Sequence, residues 1–390
     1  MKRFLVFILA LSFMLSLGGC GGDKEEPNPI FRIGVFEPFS GSDSAGGMKE
    51  VLGIQYAHHL QPTVKIGDRT YDVELVYADN ASSASQAAQV AETLLEQDVS
   101  IILGSYGSGY SLAAAPVFER AGIAALGISC TAPDITAGYD SYFRACIQDE
   151  MQGAALAAFA NKEVGASTVL CLGQVENEYD QGLIKGFREA AEARDMSIIK
   201  MDFAENCNDF TYYLSAVAEK SVDAVFAPCS ARYGKMIIEA MAELEEPVPV
   251  IGGDTWDDDT MLNAAIGKNF RIYTSAFYAE GGSTSFENGF REWLASDSTA
   301  LANNGGTDAV ASITVMGYDA YNLALAAARA AGSPHHADIL AAMPSVSSSG
   351  VSGVIKFDDI GDAVRNSIYI KRADTEQPLW KYVKNQKVDG

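Results

Sequence analysis

Basic residues are scarce in this sequence of 390 residues, and the imbalance limits the class of partner. Lysine and arginine number 28 against 51 aspartates and glutamates, which gives a formal net charge of −23 at pH 7. Because nucleic-acid binding depends on a basic surface that neutralises phosphates, this composition argues against a nucleic-acid partner. It is typical of a soluble protein with a solvated acidic surface.

Motifs for catalysis and cofactor binding are also missing. No serine has glycines at both the −2 and +2 positions, so the sequence lacks a nucleophile elbow. It contains neither a G-x-G-x-x-G fingerprint nor a Walker A motif. The four histidines form two adjacent pairs, His58-His59 and His335-His336, and adjacent positions on a helix do not face each other. We therefore expect no enzyme activity, no cofactor and no metal.

Cysteines are few, and their spacing assigns no disulfide or metal site. Five follow Cys20 in the chain, and no two of them form a CxxC pair. An odd number cannot all pair within one chain, so we assign no disulfide. Cys171 lies in an apolar strand and is expected to be a small buried hydrophobic residue.

The carboxylate-rich run from Asp254 to Asp259 is not expected to bind calcium. It lacks the alternating oxygen ligands and the central glycine of a calcium-binding loop. We expect Asp257 or Asp258 to cap a helix that begins near Thr260, because a carboxylate before a helix accepts bonds from its free amides.

The N-terminus carries the signature of a lipoprotein signal peptide. Lys2 and Arg3 precede a short apolar stretch that ends in LGGC at Cys20, and the polar segment GGDKEEPNP follows. The ending resembles the lipobox of bacterial lipoproteins, in which the cysteine becomes the lipidated first residue. No later apolar run is long enough to span a bilayer. We expect residues 1–20 to be a signal peptide, residues 21–29 a tether, and the protein to be extracytoplasmic and membrane-bound through its lipid alone.

Strand-like and helix-like segments alternate through the first half of the chain. The apolar run Val99–Leu103 predicts a buried strand, and a small-residue helix from about Ser108 to Ala121 follows it. The same alternation predicts further strands at 30–36, 71–77 and 123–128 and helices at 48–60 and 82–96. This order is typical of a doubly wound α/β fold with a parallel sheet.

The alternation breaks at Tyr142–Cys146 and then resumes, which indicates a second lobe of the same kind. The chain is predicted to cross between the lobes at three strand-like segments. They are Tyr142–Cys146, Arg271–Ala276 and the Ser/Gly-rich SVSSSGVSG. The expected lobes are 30–145 plus 277–350 for lobe one and 146–276 plus 351–390 for lobe two. Three crossings between two lobes form a hinge, and a hinge predicts a cleft that closes.

Hydroxyl and carboxylate side chains follow the predicted strands on both lobes. Ser108 starts a helix, where its hydroxyl and the free amides of the first turn suit a carboxylate, and Thr131 follows the next strand. Asp254 follows a strand of lobe two and suits an ammonium. Together the three residues match a zwitterion, that is, an amino acid. The alternatives are an ordinary helix cap, a turn threonine and an Asp254 exposed on a loop.

The chain resembles the type I periplasmic binding proteins of the leucine/isoleucine/valine-binding group from about Ile30 to Arg372. The motifs that carry the resemblance are RIGVFEPFSG, LGSYGSGYSLAAAPVFERAGI, GISCTAPDIT, YDQG, IGGDTWD and GYDAYNLA. The resemblance implies that Ser108, Ser129 and Thr131 hold the ligand α-carboxylate. It implies that Asp254 takes the α-amino group and that Tyr179 lines the cleft.

Several positions depart from the family pattern. Members of the family often have an aromatic residue after the first SG turn, and the corresponding place in this chain is near Ala45. A second aromatic residue of the family pattern is replaced here by Cys229 or Ser230. Asp254 stands where some members have glutamate, and we expect Trp256 to compensate by filling the cleft. These changes affect the pocket for the ligand side chain and leave the headgroup site intact.

The sequence therefore predicts a monomeric lipoprotein that captures an amino acid, of branched-chain type or similar, and delivers it to an ABC permease in the membrane. One alternative is an amide, urea or aromatic acid as ligand on the same scaffold. Another is a ligand-sensing subunit for a membrane receptor. A hydrolase is disfavoured, because the sequence has no recognisable nucleophile.

Overall fold

The structure is a computed structural model that describes residues 27–388. Cys20, on which the lipid-anchor prediction rests, lies outside these residues. Within residues 27–388, none of the helices combines the length and the apolar character needed to cross a membrane.

The first sheet forms lobe one and has, within the described residues, the strand order β2-β3-β1-β4-β5-β6. Its strands are β1 (Ile30–Glu37), β2 (Thr63–Ile66), β3 (Arg69–Asp79), β4 (Ile101–Leu103), β5 (Ala125–Gly127) and β6 (Tyr142–Arg144). The pairs are parallel except for β2–β3, an antiparallel hairpin that was not predicted. Helices between these strands are α1 (Ser44–Leu60), α2 (Ala84–Leu95), α3 (Ser108–Ala121) and α4 (Asp134–Ala137).

The second sheet forms lobe two and has, within the same range, the order β15-β14-β11-β10-β9-β7-β8. Its strands are β7 (Thr168–Gln174), β8 (Ser197–Phe203), β9 (Ala224–Phe226), β10 (Val250–Ile251), β11 (Ile272–Ala276), β14 (Ser367–Ala373) and β15 (Trp380–Lys387). Strands β7 to β11 pair in parallel, whereas β14 and β15 are antiparallel additions at the edge. The small hairpin β12 (Ser347–Gly350) and β13 (Gly353–Lys356) is separate.

Helices flank the second sheet and also return to the first lobe. They are α5 (Asp149–Phe159), α6 (Glu178–Glu192), α7 (Thr211–Glu219), α8 (Ala231–Met241), α9 (Asp259–Ala265), α10 (Thr284–Ser296), α11 (Ser298–Asn303), α12 (Ser312–Ala331) and α13 (His336–Ala342). Helix α12 packs against α1, so the segment after β11 belongs to lobe one. Two α/β lobes with a three-segment connection confirm the predicted fold class.

The central strands of the first sheet are buried, as their apolar sequences predict. Ile33, Val35, Ile101 and Leu103 are completely inaccessible, because helices cover both faces of the parallel sheet. Strand ends of such a sheet, unlike its middle, are open to solvent or to a ligand. The carboxyl ends of β4, β5, β7 and β10 therefore decide what the lobes present to each other.

The Ser/Gly-rich segment predicted as the third crossing contacts lobe one in the structure. The Ser/Gly-rich segment forms β12 and packs against α12. The chain then stays with lobe one, because Arg144 bonds to Asp362 and the Phe143 and Phe357 rings are 5.1 Å apart. We therefore propose that the third crossing follows Ala363 instead of Gly350. The other expected lobe boundaries stay predictions.

Candidate functional site

A cleft lies between the two lobes at the carboxyl ends of the parallel strands. A cavity of about 240 Å³ is lined from lobe one by Ser42, Asp43, Tyr106, Gly107, Ser108, Tyr110 and Ser129, and from lobe two by Gln174, Tyr179, Ser230, Arg232, Asp254 and Thr255. A neighbouring cavity of about 430 Å³ shares part of this lining and adds Ala45, Met236 and Ile313. The predicted headgroup residues Ser108, Ser129, Tyr179 and Asp254 therefore line one space.

Ser108 connects two loops of lobe one at the start of α3. Gly107, which precedes it, has φ 95°, a left-handed conformation that favours glycine. The Ser108 Oγ accepts bonds from the amides of Thr131 and Ala132, both at 3.2 Å. Its own hydrogen remains for another acceptor, and the first amides of α3 have no acceptor within the helix. This end of the cleft is therefore rich in donors, as an anion requires.

Thr131 and Ser129 lie on the loop after β5 and are oriented differently. Thr131 is completely buried and does not line either cavity, and its hydroxyl lies beside the Asp149 carboxyl group, whose pKa it lowers. The Ser129 hydroxyl contacts Oε1 of Glu50 on α1, so part of its bonding capacity is used within lobe one. Sequence reasoning did not identify this glutamate as part of the site.

Asp254 lies on the opposite side of the cleft and is 3% exposed. Its Oδ1 accepts bonds from Gln152 Nε2 and from the Tyr179 hydroxyl, each at 2.9 Å. Gln152 is oriented in turn by the Ser275 hydroxyl, which donates to its Oε1 at 2.6 Å. Burial raises the pKa of Asp254 to about 6, against the opposing effect of these two bonds. The group is therefore mainly a carboxylate at neutral pH, and a buried carboxylate favours a cationic partner.

The turn that carries Asp254 depends on glycine. A Cβ on Gly253 would lie 2.2 Å from the Tyr179 hydroxyl, so a larger residue would displace the tyrosine from Asp254. Sequence reasoning placed Tyr179 at the cleft only through the family resemblance. It did not find Gln152, whose position in the first turn of α5 carries no motif.

Trp256 does not fill the cleft, which corrects our expectation. Its side chain is completely buried in the core of lobe two, and its indole nitrogen donates to the Cys229 carbonyl oxygen at 2.8 Å. Cys229 is buried as well, whereas Ser230 reaches the cleft. Ser230 and Ala45 therefore stand in the cavity lining where the family pattern has aromatic residues.

Another buried carboxyl group, that of Asp149, lies near Thr131 and Asp254. Asp149 is completely buried, and neither of its carboxylate oxygens has a partner among the described residues. Burial raises the pKa of Asp149 to about 8.

The described cysteines are free thiols, namely Cys130, Cys146, Cys171, Cys207 and Cys229. Residues 27–388 contain no cluster of three ligating side chains suited to a metal.

Comparisons with known proteins agree with this architecture. A family model described as periplasmic binding protein matches residues 31–377. A Leu/Ile/Val-binding protein of Rhizobium johnstonii is 24% identical over 224 residues, which cover 57% of this chain and 60% of the relative. An amino acid binding protein of Pseudomonas aeruginosa is 30% identical over 159 residues, which cover 40% and 42%. These matches thus span less than two thirds of either relative.

Solved structures extend the similarity to nearly the whole described chain. A leucine binding protein from Thermotoga maritima has a TM-score of 0.80 at 27% identity, with 91% of this chain and 98% of that chain covered. An ABC transporter solute-binding protein from R. palustris in complex with benzoate has a TM-score of 0.76 at 19% identity, with 92% and 96% covered. The second likeness shows the shared fold alone.

Proposed function

The chain belongs to the periplasmic binding protein family, in the group that includes the Leu/Ile/Val-binding proteins, and on this basis we propose that it captures an amino acid between its lobes. One observation carries the proposal: the donor-rich start of α3 at Ser108 and the buried carboxylate of Asp254 line the same cavity from opposite lobes. A ligand with a carboxylate and an ammonium would bind both sides and hold the cleft closed.

The ligand headgroup would use Ser108 and Ser129 on lobe one and Asp254 with Tyr179 on lobe two. Thr131, predicted as a third carboxylate ligand, would support Ser108 from behind through its amide. The neighbouring cavity would receive the ligand side chain. Its lining combines apolar Ala45, Met236 and Ile313 with polar groups, among them Arg232, Lys235 and Glu239. This mixed lining supports an amino acid of branched-chain type or similar without requiring leucine itself.

Solved neighbours hold amino acids or aromatic acids, and the buried Asp254 supports an amino acid for this chain. The Thermotoga maritima neighbour is a leucine binding protein, and a Streptococcus pneumoniae neighbour is in complex with isoleucine. Other neighbours are in complex with benzoate or 4-hydroxybenzoate, which have no ammonium. Asp254 disfavours such ligands here, because it would stay buried without a cation.

The biological setting that we propose is delivery of the ligand to an ABC permease by a monomeric, extracytoplasmic lipoprotein. Lipidation at Cys20 would anchor the protein, and lobe closure would distinguish the loaded form. No enzymatic step belongs to this function. A ligand-sensing role at a membrane receptor would use the same cleft and would differ only in the membrane protein that contacts the closed form.

A thermal-shift screen of the mature protein with the twenty proteinogenic amino acids tests the proposal. A ligand at about 100 times its dissociation constant stabilises the folded state by roughly 2.7 kcal/mol. We expect at least one amino acid to raise the melting temperature and its decarboxylated amine to have no such effect. Stabilisation by aromatic acids alone, or by no amino acid, would contradict the proposal.

A further inference from the structure

Two buried glutamates lie directly behind the lobe-one side of the cleft. Glu37 is the last residue of β1, and Glu50 lies on α1. Both are completely inaccessible to solvent. Buried carboxyl groups are costly unless they are paired, hydrogen-bonded or protonated, so two of them at one place require an explanation.

Each glutamate holds one loop of the proposed carboxylate site. Glu37 Oε2 accepts a bond from the Tyr106 amide at 2.7 Å, in the loop between β4 and α3. Glu50 Oε1 contacts the Ser129 hydroxyl in the loop after β5. The remaining oxygens, Glu37 Oε1 and Glu50 Oε2, are buried and have no partner among residues 27–388.

The two carboxyl groups are near enough for each to change the pKa of the other, and each has one oxygen free to share a proton. A proton on Glu37 that is donated to Glu50 would satisfy both oxygens. Two carboxylates in contact cannot both be ionised at little cost, so at least one proton is held there.

The described groups that act most strongly on the pair are acidic or neutral. Asp254 faces Glu50 from lobe two, and Cys130 faces Glu37 from the loop after β5. The phenols of Tyr106 and Tyr142 also lie close to the pair. The neighbouring Lys49 directs its ammonium to Asp258, 3.0 Å away. Burial raises the pKa of Glu37, and burial raises that of Glu50 to about 8.

We propose that Glu37 and Glu50 are positioning residues that, when protonated, form a chain of hydrogen-bond donors that ends at Ser129 and directs its hydroxyl hydrogen to the ligand carboxylate. This inference rests on the proposed function. Glu37 donates to Glu50, Glu50 donates to the Ser129 oxygen, and Ser129 donates into the cleft. Every polar atom of the chain then has a partner, as it also does when Glu50 is ionised and accepts from both Glu37 and Ser129, so the two states differ in the direction of the Ser129 hydroxyl and in charge.

Ionisation of Glu50 reverses the last part of the chain. The Ser129 hydroxyl then donates to the Glu50 carboxylate and turns its lone pairs towards the ligand. A negative charge also appears behind the site that receives an anion, so the affinity for a carboxylate ligand falls. If only the protonated form binds, affinity drops about tenfold between one unit below and one unit above the pKa of Glu50.

The test compares the pH dependence of binding in the wild-type protein and in Glu50→Gln. Glutamine keeps the bonds of a neutral acid, because its amide nitrogen donates to Ser129 and its oxygen accepts from Glu37, but it cannot ionise. The probe is L-leucine, or the amino acid that stabilises the wild-type protein most in a thermal-shift screen. Calorimetry at about pH 7 and about pH 9 brackets the titration. The ligand's own ammonium titrates equally in both experiments and cancels in their ratio.

We expect the wild-type protein to lose about tenfold more affinity than Glu50→Gln over this interval. An identical loss in both proteins would overturn the inference while leaving amino-acid binding established. If no amino acid binds the wild-type protein, the proposed function fails, and this inference fails with it.

A second comparison works without any variant that might not fold. The amino alcohol of the same ligand, L-leucinol for L-leucine, has the ammonium but no carboxylate. Wild-type affinity for the amino acid should fall with pH relative to affinity for the alcohol, after correction for the amine titration of each ligand. A constant ratio would overturn the inference.

Discussion

Lys49 of helix α1 in lobe one and Asp258 of lobe two form an ion pair across the cleft, with Nζ and Oδ2 3.0 Å apart. Their side chains are only 8% and 15% exposed. Burial alone would raise the pKa of Asp258, but the Lys49 ammonium and a bond from Thr260 lower it below its ordinary value. The pair therefore stabilises the arrangement of the lobes seen here.

We predict that Lys49 and Asp258 are energetically coupled. In a double-mutant cycle of Lys49→Met and Asp258→Asn, the coupling in the free energy of unfolding should be about 1–3 kcal/mol. Asn keeps the cap that Asp258 provides to α9. The pair Lys235–Glu239, exposed and 3.8 Å apart, is the control and should couple by less than about 0.5 kcal/mol. Equal coupling in both pairs would contradict the prediction.

Arg144 should be required for the stability of lobe one. It is completely buried and donates to Asp362, to Thr136 and to the Ala132 carbonyl oxygen, each at 2.7 Å. Arg144→Met leaves Asp362 buried without its cation, and we expect a loss of about 3–5 kcal/mol in urea unfolding.

The matched control for this measurement is Arg188→Met. Arg188 is half-exposed and lies 3.9 Å from Glu192 on the same helix. Its replacement should change the free energy of unfolding by less than about 0.5 kcal/mol. A loss for Arg144→Met that is no larger than the control's would show that the buried network does not contribute to stability.

Asp149 should make stability depend on pH. Its pKa, raised by burial from 3.8 to about 8, means that the folded chain holds a proton that the unfolded chain releases. The free energy of unfolding therefore falls as pH rises through this interval. Relative to the wild type, Asp149→Asn should be more stable at about pH 8 than at about pH 5 by more than about 1 kcal/mol. The same difference at both pH values in urea unfolding would contradict this.

Lipidation at Cys20 predicts where the protein is found in the cell. Cys20→Ala removes the acceptor thiol, so the variant should no longer sediment with membranes when cells are fractionated. A variant that is processed and membrane-bound like the parent would show that the LGGC sequence is not a lipobox.

Local patterns in the sequence predicted the elements that carry the cleft. The helix expected from Ser108 to Ala121 has these bounds in the structure, and Asp258 accepts a bond from the Thr260 amide, as expected of a cap. The burial of Glu50 could not be predicted in this way, because α1 is buried without a break from Lys49 to Ile54 and has no apolar stripe that marks an inner face.

Features that depend on distant contacts could not be predicted in this way. Helix α12 begins at Ser312, where the Asp257 carboxylate accepts a bond from the Ser312 amide at 2.9 Å. Trp256 is drawn into the core because Gly252 leaves room for it: a Cβ there would lie 2.1 Å from the indole ring. Neither relationship has a local signal, since both join segments that meet only in the folded chain.

The central claim is that Asp254 binds the ligand ammonium while Ser108 helps to bind the carboxylate. Calorimetry of the best amino acid with Asp254→Ala, Ser108→Ala and the wild type tests it most directly. Both residues lie in turns at strand and helix ends, so the variants should fold, which an unchanged far-UV spectrum would establish.

Removing Asp254 leaves the ligand ammonium desolvated without its partner, which should cost about 2–5 kcal/mol. Binding should weaken by about 30-fold to several thousand-fold. Ser108→Ala should weaken it less, because the amides of α3 remain. If Asp254→Ala binds the amino acid as tightly as the wild type, the zwitterion account is wrong and an anionic or uncharged ligand takes its place.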